Sequence, residues 1–140
     1  TTFAFNRPRI KDAPLDFSFS GLKTAALKHV REGGIGKEHP RFAGFLASFE
    51  EAVVRSLVDN LATAVDEFGP KSLILCGGVA RNQRLRTRFQ EFADRQKLPA
   101  FIPSPKMCTD NAAMIVALAL EKRAAGLPSS FDLDLDAYPR

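Results

Sequence analysis

Ser72-Leu73-Ile74-Leu75-Cys76 is a continuous apolar run with one helical pattern before it and another after it. Bounded by Gly69-Pro70 and Gly77-Gly78, it reads as a short strand buried on both faces rather than a solvent-facing one. Such a strand needs cover from helices on both sides. That requirement points to an α/β layer before any other residue is considered.

The flanking patterns agree. Pro40 suits a first helical turn, and Phe42, Leu46, Phe49, Val53, Leu57, Leu61, Val65 and Phe68 recur at steps of three or four, one stripe of a long helix that Gly69-Pro70 ends. After the glycine pair an amphipathic helix carries Leu85, Phe89 and Phe92 inward. Pro99-Ala100-Phe101-Ile102-Pro103 reads as a second, shorter strand, and residues 110–125 as a helix apolar nearly all round that must be buried. Helix, strand, helix, strand, helix predicts adjacent parallel strands, with the helices over 40–68 and 110–125 packed on the sheet. Upstream, residues 1–16 hold two prolines and no sustained period, which reads as irregular structure. Residues 16–20 alternate phenylalanine with small polar groups, the period of a strand. A short helix over 22–30 and a glycine-rich loop over 31–40 follow. The acidic stretch 131–138 reads as a solvated tail. The chain divides into a segment 1–39, an α/β/α/β/α unit 40–126 and a tail 127–140. So few strands fall short of the usual four to six, and part of a sheet is missing.

Composition removes several classes. With 45% hydrophobic and 26% charged residues, the 140-residue chain is not disordered as a whole. Its longest apolar run, nine residues from Ala112, is about half of what a membrane span requires. No secretory signal pattern opens it. Two cysteines make neither a disulfide framework nor a four-thiolate metal site, and a reducing cytoplasm is the expected setting. A net charge of +4 suits polyanions without proving one.

Four segments could carry chemistry. At Cys76-Gly77-Gly78-Val79-Ala80-Arg81-Asn82 a strand, a glycine pair and a helix start let a ligand approach the main chain, and the helix amides favour an anion. Asn82 offers a donor and an acceptor to a ribose or an adenine edge. The ordinary use of the same residues is a tight turn with an asparagine cap. At Met107-Cys108-Thr109-Asp110-Asn111, Thr109 would cap the next helix with Asp110 in its first turn, or Asp110 would bind a metal. His29 and His39 have no ligand spacing and read as surface residues. Arg81, Arg84 and Arg88 fall at i, i+3 and i+7, with Arg86 between them. They form either the wet side of a helix or a phosphate-binding face. The fourth, Phe17-Ser18-Phe19-Ser20-Gly21-Leu22-Lys23-Thr24, lacks the order of a P-loop.

Taken together, Phe17 to Thr24, Gly77-Gly78-Val79-Ala80 with Asn82 and Leu85-Arg86, and Cys108-Thr109-Asp110-Asn111-Ala112-Ala113-Met114-Ile115 stand in the order and spacing of one family. The chain resembles the tRNA N6-adenosine threonylcarbamoyltransferases (TsaD in bacteria), long labelled glycoprotease or O-sialoglycoprotein endopeptidase. Tyr138-Pro139-Arg140 is similar to the family's C-terminus.

The resemblance implies the C-terminal part of a longer enzyme. It implies the closing portion of an actin/Hsp70/sugar-kinase-like, ribonuclease-H-like lobe without that lobe's opening antiparallel strands. The reaction it implies moves threonylcarbamoyl from threonylcarbamoyl adenylate to N6 of adenosine 37 in tRNA, releasing AMP. Gly77 and Gly78 become the loop beneath the nucleotide, Asn82 its contact, and Asp110 a ligand to iron or zinc otherwise held by a histidine pair outside this chain. No catalytic side chain is assigned. Arg81 departs from the small residue that many members carry there. TsaB- and TsaE-like proteins and tRNA are the implied partners, with no membrane. The apolar faces left open predict a possible homo-oligomer. A non-catalytic nucleotide-binding or interaction module of the same superfamily is the alternative, and a metalloprotease a weaker one, because no general base or zinc site assembles here.

Overall fold

The computed structural model describes residues 3–6, 13 and 15–127. Four helices and two short strands follow in the order α1 (Ser20–Gly33), α2 (Phe42–Phe68), β1 (Leu73–Ile74), α3 (Gln83–Gln96), β2 (Ala100–Phe101) and α4 (Ala112–Ala124). The described chain is mostly helical, with a parallel two-stranded sheet, in keeping with an α/β class.

Helix α2 ends where the sequence says it must. Gly69 adopts φ 54°, a left-handed conformation that glycine takes without a Cβ penalty, and its N–H bonds to the carbonyl of Val65. Pro70 cannot continue the helix. The chain then enters β1, which pairs in parallel with β2 so that Leu73 faces Ala100 and Ile74 faces Phe101. The Leu73 amide donates to Pro99 at 2.8 Å and the Leu75 amide to Phe101 at 3.0 Å. Between the strands α3 packs Phe89, Phe92 and Ala93 onto Leu73, with Val58, Leu61, Ala62 and Val65 of α2 closing the other side. Burying one such aromatic or aliphatic side chain stabilises by about 1.5–3 kcal/mol.

A second cluster lies at the other end of α2, where Phe3, Ile35 and Phe45 are buried with Phe5, Ala26 and Phe42 around them. His29 stands edge-on to Phe3 at 5.3 Å and Phe5 at 5.6 Å, a half-buried member of this aromatic cluster rather than a surface residue. The nominally irregular start of the chain therefore supplies core.

Four expectations are corrected. Residues 16–20 form no strand. Asn60 Nδ2 donates to the carbonyls of Leu15 and Asp16 at 3.1 Å each, helix α1 begins at Ser20, and the Phe17 and Phe19 rings stack at 6.0 Å. A strand needs a ladder partner, and here a side-chain amide has taken those carbonyls. Strand β1 is covered on one face only, with Leu73 buried and Ile74 69% exposed. Helix α4 buries none of its residues, and Met114, Ile115, Val116, Leu118 and Leu120 all face outward. Its apolarity was read correctly, but the described chain supplies no surface to cover it. Pro40 also falls just outside α2, in the turn before Phe42. Most of the 127–140 tail, from residue 128 onward, lies outside the described residues.

Candidate functional site

The turn after β1 is built by two glycines with different duties. Gly77 holds φ 87°, which an L side chain rarely adopts, and opens a short 3-10 turn over Gly78–Arg81. Gly78 has ordinary φ, and a Cβ at either glycine would meet nothing within 4 Å. Space above the main chain is open. Beside it runs an apolar groove of about 380 Å³ whose wall includes Phe19, Lys23, Cys76, Val79 and Ala80.

Asn82 follows as the N-cap of α3, extended at φ −64°, ψ 119°. Its Oδ1 accepts from the Leu85 amide at 2.8 Å, and its Nδ2 donates to Glu50 Oε1 on α2 at 2.6 Å. Both ends of the side chain are used inside the protein, the capping arrangement that the ordinary reading describes. A helix N-terminus leaves several first-turn amides without intrahelical partners, and the Asn82 cap takes one of them.

A second loop leaves β2 at the same end of the sheet. A 3-10 turn, Pro105–Met107, leads to buried Cys108 and then to Thr109 and Asp110, both exposed. The cap of α4 is Asn111, not Thr109: its Oδ1 accepts from Met114 at 3.0 Å and its Nδ2 donates to the Thr109 carbonyl at 2.8 Å. Asp110 thus precedes the helix instead of sitting in its first turn. Among the described residues no three His, Cys, Asp or Glu side chains gather as a metal site.

The two loops are joined by a residue to which sequence reasoning gave no role of its own. Half-buried Arg86 donates through Nη1 to the Ala80 carbonyl at 3.0 Å and through Nη2 to the Pro103 carbonyl at 2.9 Å. Cys108 Sγ lies 3.9 Å from Nη1 and 3.5 Å from the Ser104 carbonyl. The place of Arg86 beside Leu85 in the family motif is visible in the sequence, but nothing in its spacing tells what it holds. Glu50 was missed for the same reason.

The arginine stripe is also rearranged. Arg81 belongs to the 3-10 turn, off α3, whereas Arg84 and Arg88 both pair with Glu51 of α2, Arg88 at 3.1 Å. Burial raises the Glu51 pKa, but the Arg84 hydrogen bond and the Arg84 and Arg88 charges outweigh it and hold it below its ordinary 4.5. His39 turns its Nδ1 to the Arg41 amide at 3.1 Å, a local turn contact.

Residues 1–117 match the family model for TsaD, tRNA N6-adenosine threonylcarbamoyltransferase. The chain belongs to this family. Three relatives carrying that same name are 44% identical over 137 residues (Dictyoglomus turgidum), 42% over 133 (Anaeromyxobacter sp. strain Fw109-5) and 41% over 137 (Carboxydothermus hydrogenoformans). These alignments cover 96%, 94% and 98% of this chain but 40%, 40% and 39% of the relatives. The chain therefore spans about two fifths of the length of the curated relatives it matches. As for a membrane, no helix among the described residues is long and apolar enough to cross one.

Proposed function

We propose that this chain is the portion of a tRNA N6-adenosine threonylcarbamoyltransferase that supplies part of the nucleotide site and one metal ligand. In the whole enzyme it would be the closing part of an actin-like lobe, acting on threonylcarbamoyl adenylate and tRNA with TsaB- and TsaE-like partners. One observation carries the reading. In a chain of this family, the Gly77–Asn82 turn and the loop bearing Asp110 leave the same end of adjacent parallel strands, tied together by Arg86. Ligands of open α/β sheets collect at that end.

The chemistry open to this chain's own residues is binding and orientation. The open face over Gly77 and Gly78 admits a phosphate or ribose to the main chain, and the α3 amides favour its negative charge. Asn82, fixed by Glu50 and the Leu85 amide, holds its amide group at the rim of that turn. A carboxylate such as Asp110 is a suitable oxygen donor to iron or zinc, but the described residues do not make up a metal site without further ligands.

The test is titration with AMP. We expect weak binding to the wild type, about tenfold weaker binding to Gly78→Ala and a loss for Asn82→Ala, with the fold of Gly78→Ala intact because its methyl meets only open space. Equal affinity in Gly78→Ala and wild type would remove the glycine turn from the site. The companion assay is transfer of threonylcarbamoyl from its adenylate to tRNA by the full-length gene product, which Asp110→Ala should abolish.

A further inference from the structure

We propose that Arg86 is a positioning residue that couples the two loops, so that a nucleotide on the Gly77–Asn82 turn also orders the segment carrying Asp110. The inference deepens the nucleotide reading above and rests on it.

The geometry is specific. Arg86 stands one turn into α3, and its own amide bonds to the Asn82 carbonyl at 3.1 Å, so its backbone is fixed to the cap. From there the guanidinium reaches back to the Ala80 carbonyl and across to the Pro103 carbonyl, one N–H group for each. Ala80 is fully buried in the turn, and Pro103 lies just past the end of β2. A planar fork presents those two donors in one rigid plane, and a lysine ammonium cannot reproduce that span. Beyond Pro103 the chain continues through Cys108, whose sulfur packs against the same guanidinium and against the Ser104 carbonyl. Asp110 follows two residues later. The loops leave different strands, and the β1–β2 ladder lies below them. A ligand that stiffens the first loop therefore bears on the second through the Arg86 side chain. Coupling carried by such an element is reciprocal, and a ligand on either loop alters the other.

Hydrogen exchange with AMP as the probe tests this on the full-length gene product. In the wild type AMP should slow exchange at residues 77–82 and also at residues 106–111. In Arg86→Lys, AMP should still slow exchange at 77–82 and lose its effect at 106–111. Transfer of threonylcarbamoyl should then fall roughly tenfold to a hundredfold in kcat, as small misplacements of reacting groups do, with little change in KM for the adenylate. A merely structural Arg86 would lower the thermal midpoint of the variant yet leave both segments responding to AMP, and that result overturns the proposal. So does a wild type in which AMP protects 77–82 alone, an arm that needs no variant at all. Arg86→Gln, checked by circular dichroism, serves if Arg86→Lys fails to fold. AMP that leaves every segment of the wild type unchanged would instead refute the nucleotide reading itself, and the coupling with it.

Discussion

Helices α3 and α4 are nearly equal in length, 14 and 13 residues, and opposite in character. Helix α3 is the more polar of the two, yet Leu85, Phe89, Phe92 and Ala93 are all buried. The more apolar α4 buries nothing. A one-sided stripe asks for one neighbour, and α2 with the sheet supplies it. An all-round apolar surface asks for neighbours on several sides, and the described chain has none to give. Amphipathicity thus records how much cover a helix is matched to, whether or not that cover is present.

The sharpest way to break this contrast is truncation on each helix. Phe92→Ala should cost about 3–5 kcal/mol in urea unfolding, because the ring leaves a cavity among Leu73, Phe89 and α2. Leu118→Ala on α4 should stay within about 0.5 kcal/mol. Equal losses would mean that α4 is packed after all.

The caps sharpen the contrast further. Asn82→Ala removes the Leu85 cap bond and the Glu50 partner from a helix that is part of the core, and should lower global stability by about 1 kcal/mol, up to about 2. Asn111→Ala removes an equivalent cap bond to Met114, but from an unpacked helix. There the expected effect is local fraying, read as faster amide exchange within α4 at an unchanged global midpoint.

The smallest effect separates the exposed ion pairs from the core. The folded pKa of Glu51 lies below its unfolded value, so its pairs with Arg84 and Arg88 stabilise the fold above the ordinary 4.5 and are lost as pH falls through the lowered folded value. Such exposed pairs contribute about 0.2–1 kcal/mol. Glu51→Gln should lose that contribution at neutral pH, where 1 M salt should likewise cost the wild type a few tenths. It should converge with the wild type below the lowered folded value, so that its stability curve is flatter over the acidic window. A variant whose curve still falls as steeply would assign that acid sensitivity to other carboxylates.

The sequence was most legible where a residue acts through its own backbone. Gly69 and Gly77 set the backbone at their own positions, and the helix end, the turn and the parallel pair stand where they were expected. Legibility fell where an assignment depended on a distant partner. The alternation of Phe17 and Phe19 gives the period of a strand, but Asn60, more than forty residues on, takes the carbonyls of Leu15 and Asp16 at its entrance. The stripe on α2 is real yet only partly covered: Phe49, Val53 and Leu57 line the open groove, while the deeply buried apolar positions are Phe45 and Val54. Thr109 and Asn111 are equally good caps by composition, and only the backbone path selects Asn111. The bridging role of Arg86 was illegible, although the residue stood in the family motif, because its partners are two carbonyls and every residue in the sequence has one.

The two cysteines give the molecule a pair of built-in chemical clocks. Cys76 is exposed at the mouth of the glycine turn, and Cys108 is shut in behind Arg86 and the Ser104 carbonyl. A thiol reagent in solution should therefore tag Cys76 at once, and Cys108 only when that second loop lifts away. The slow tagging rate counts openings of the loop directly, in a protein that needs no introduced label to report them.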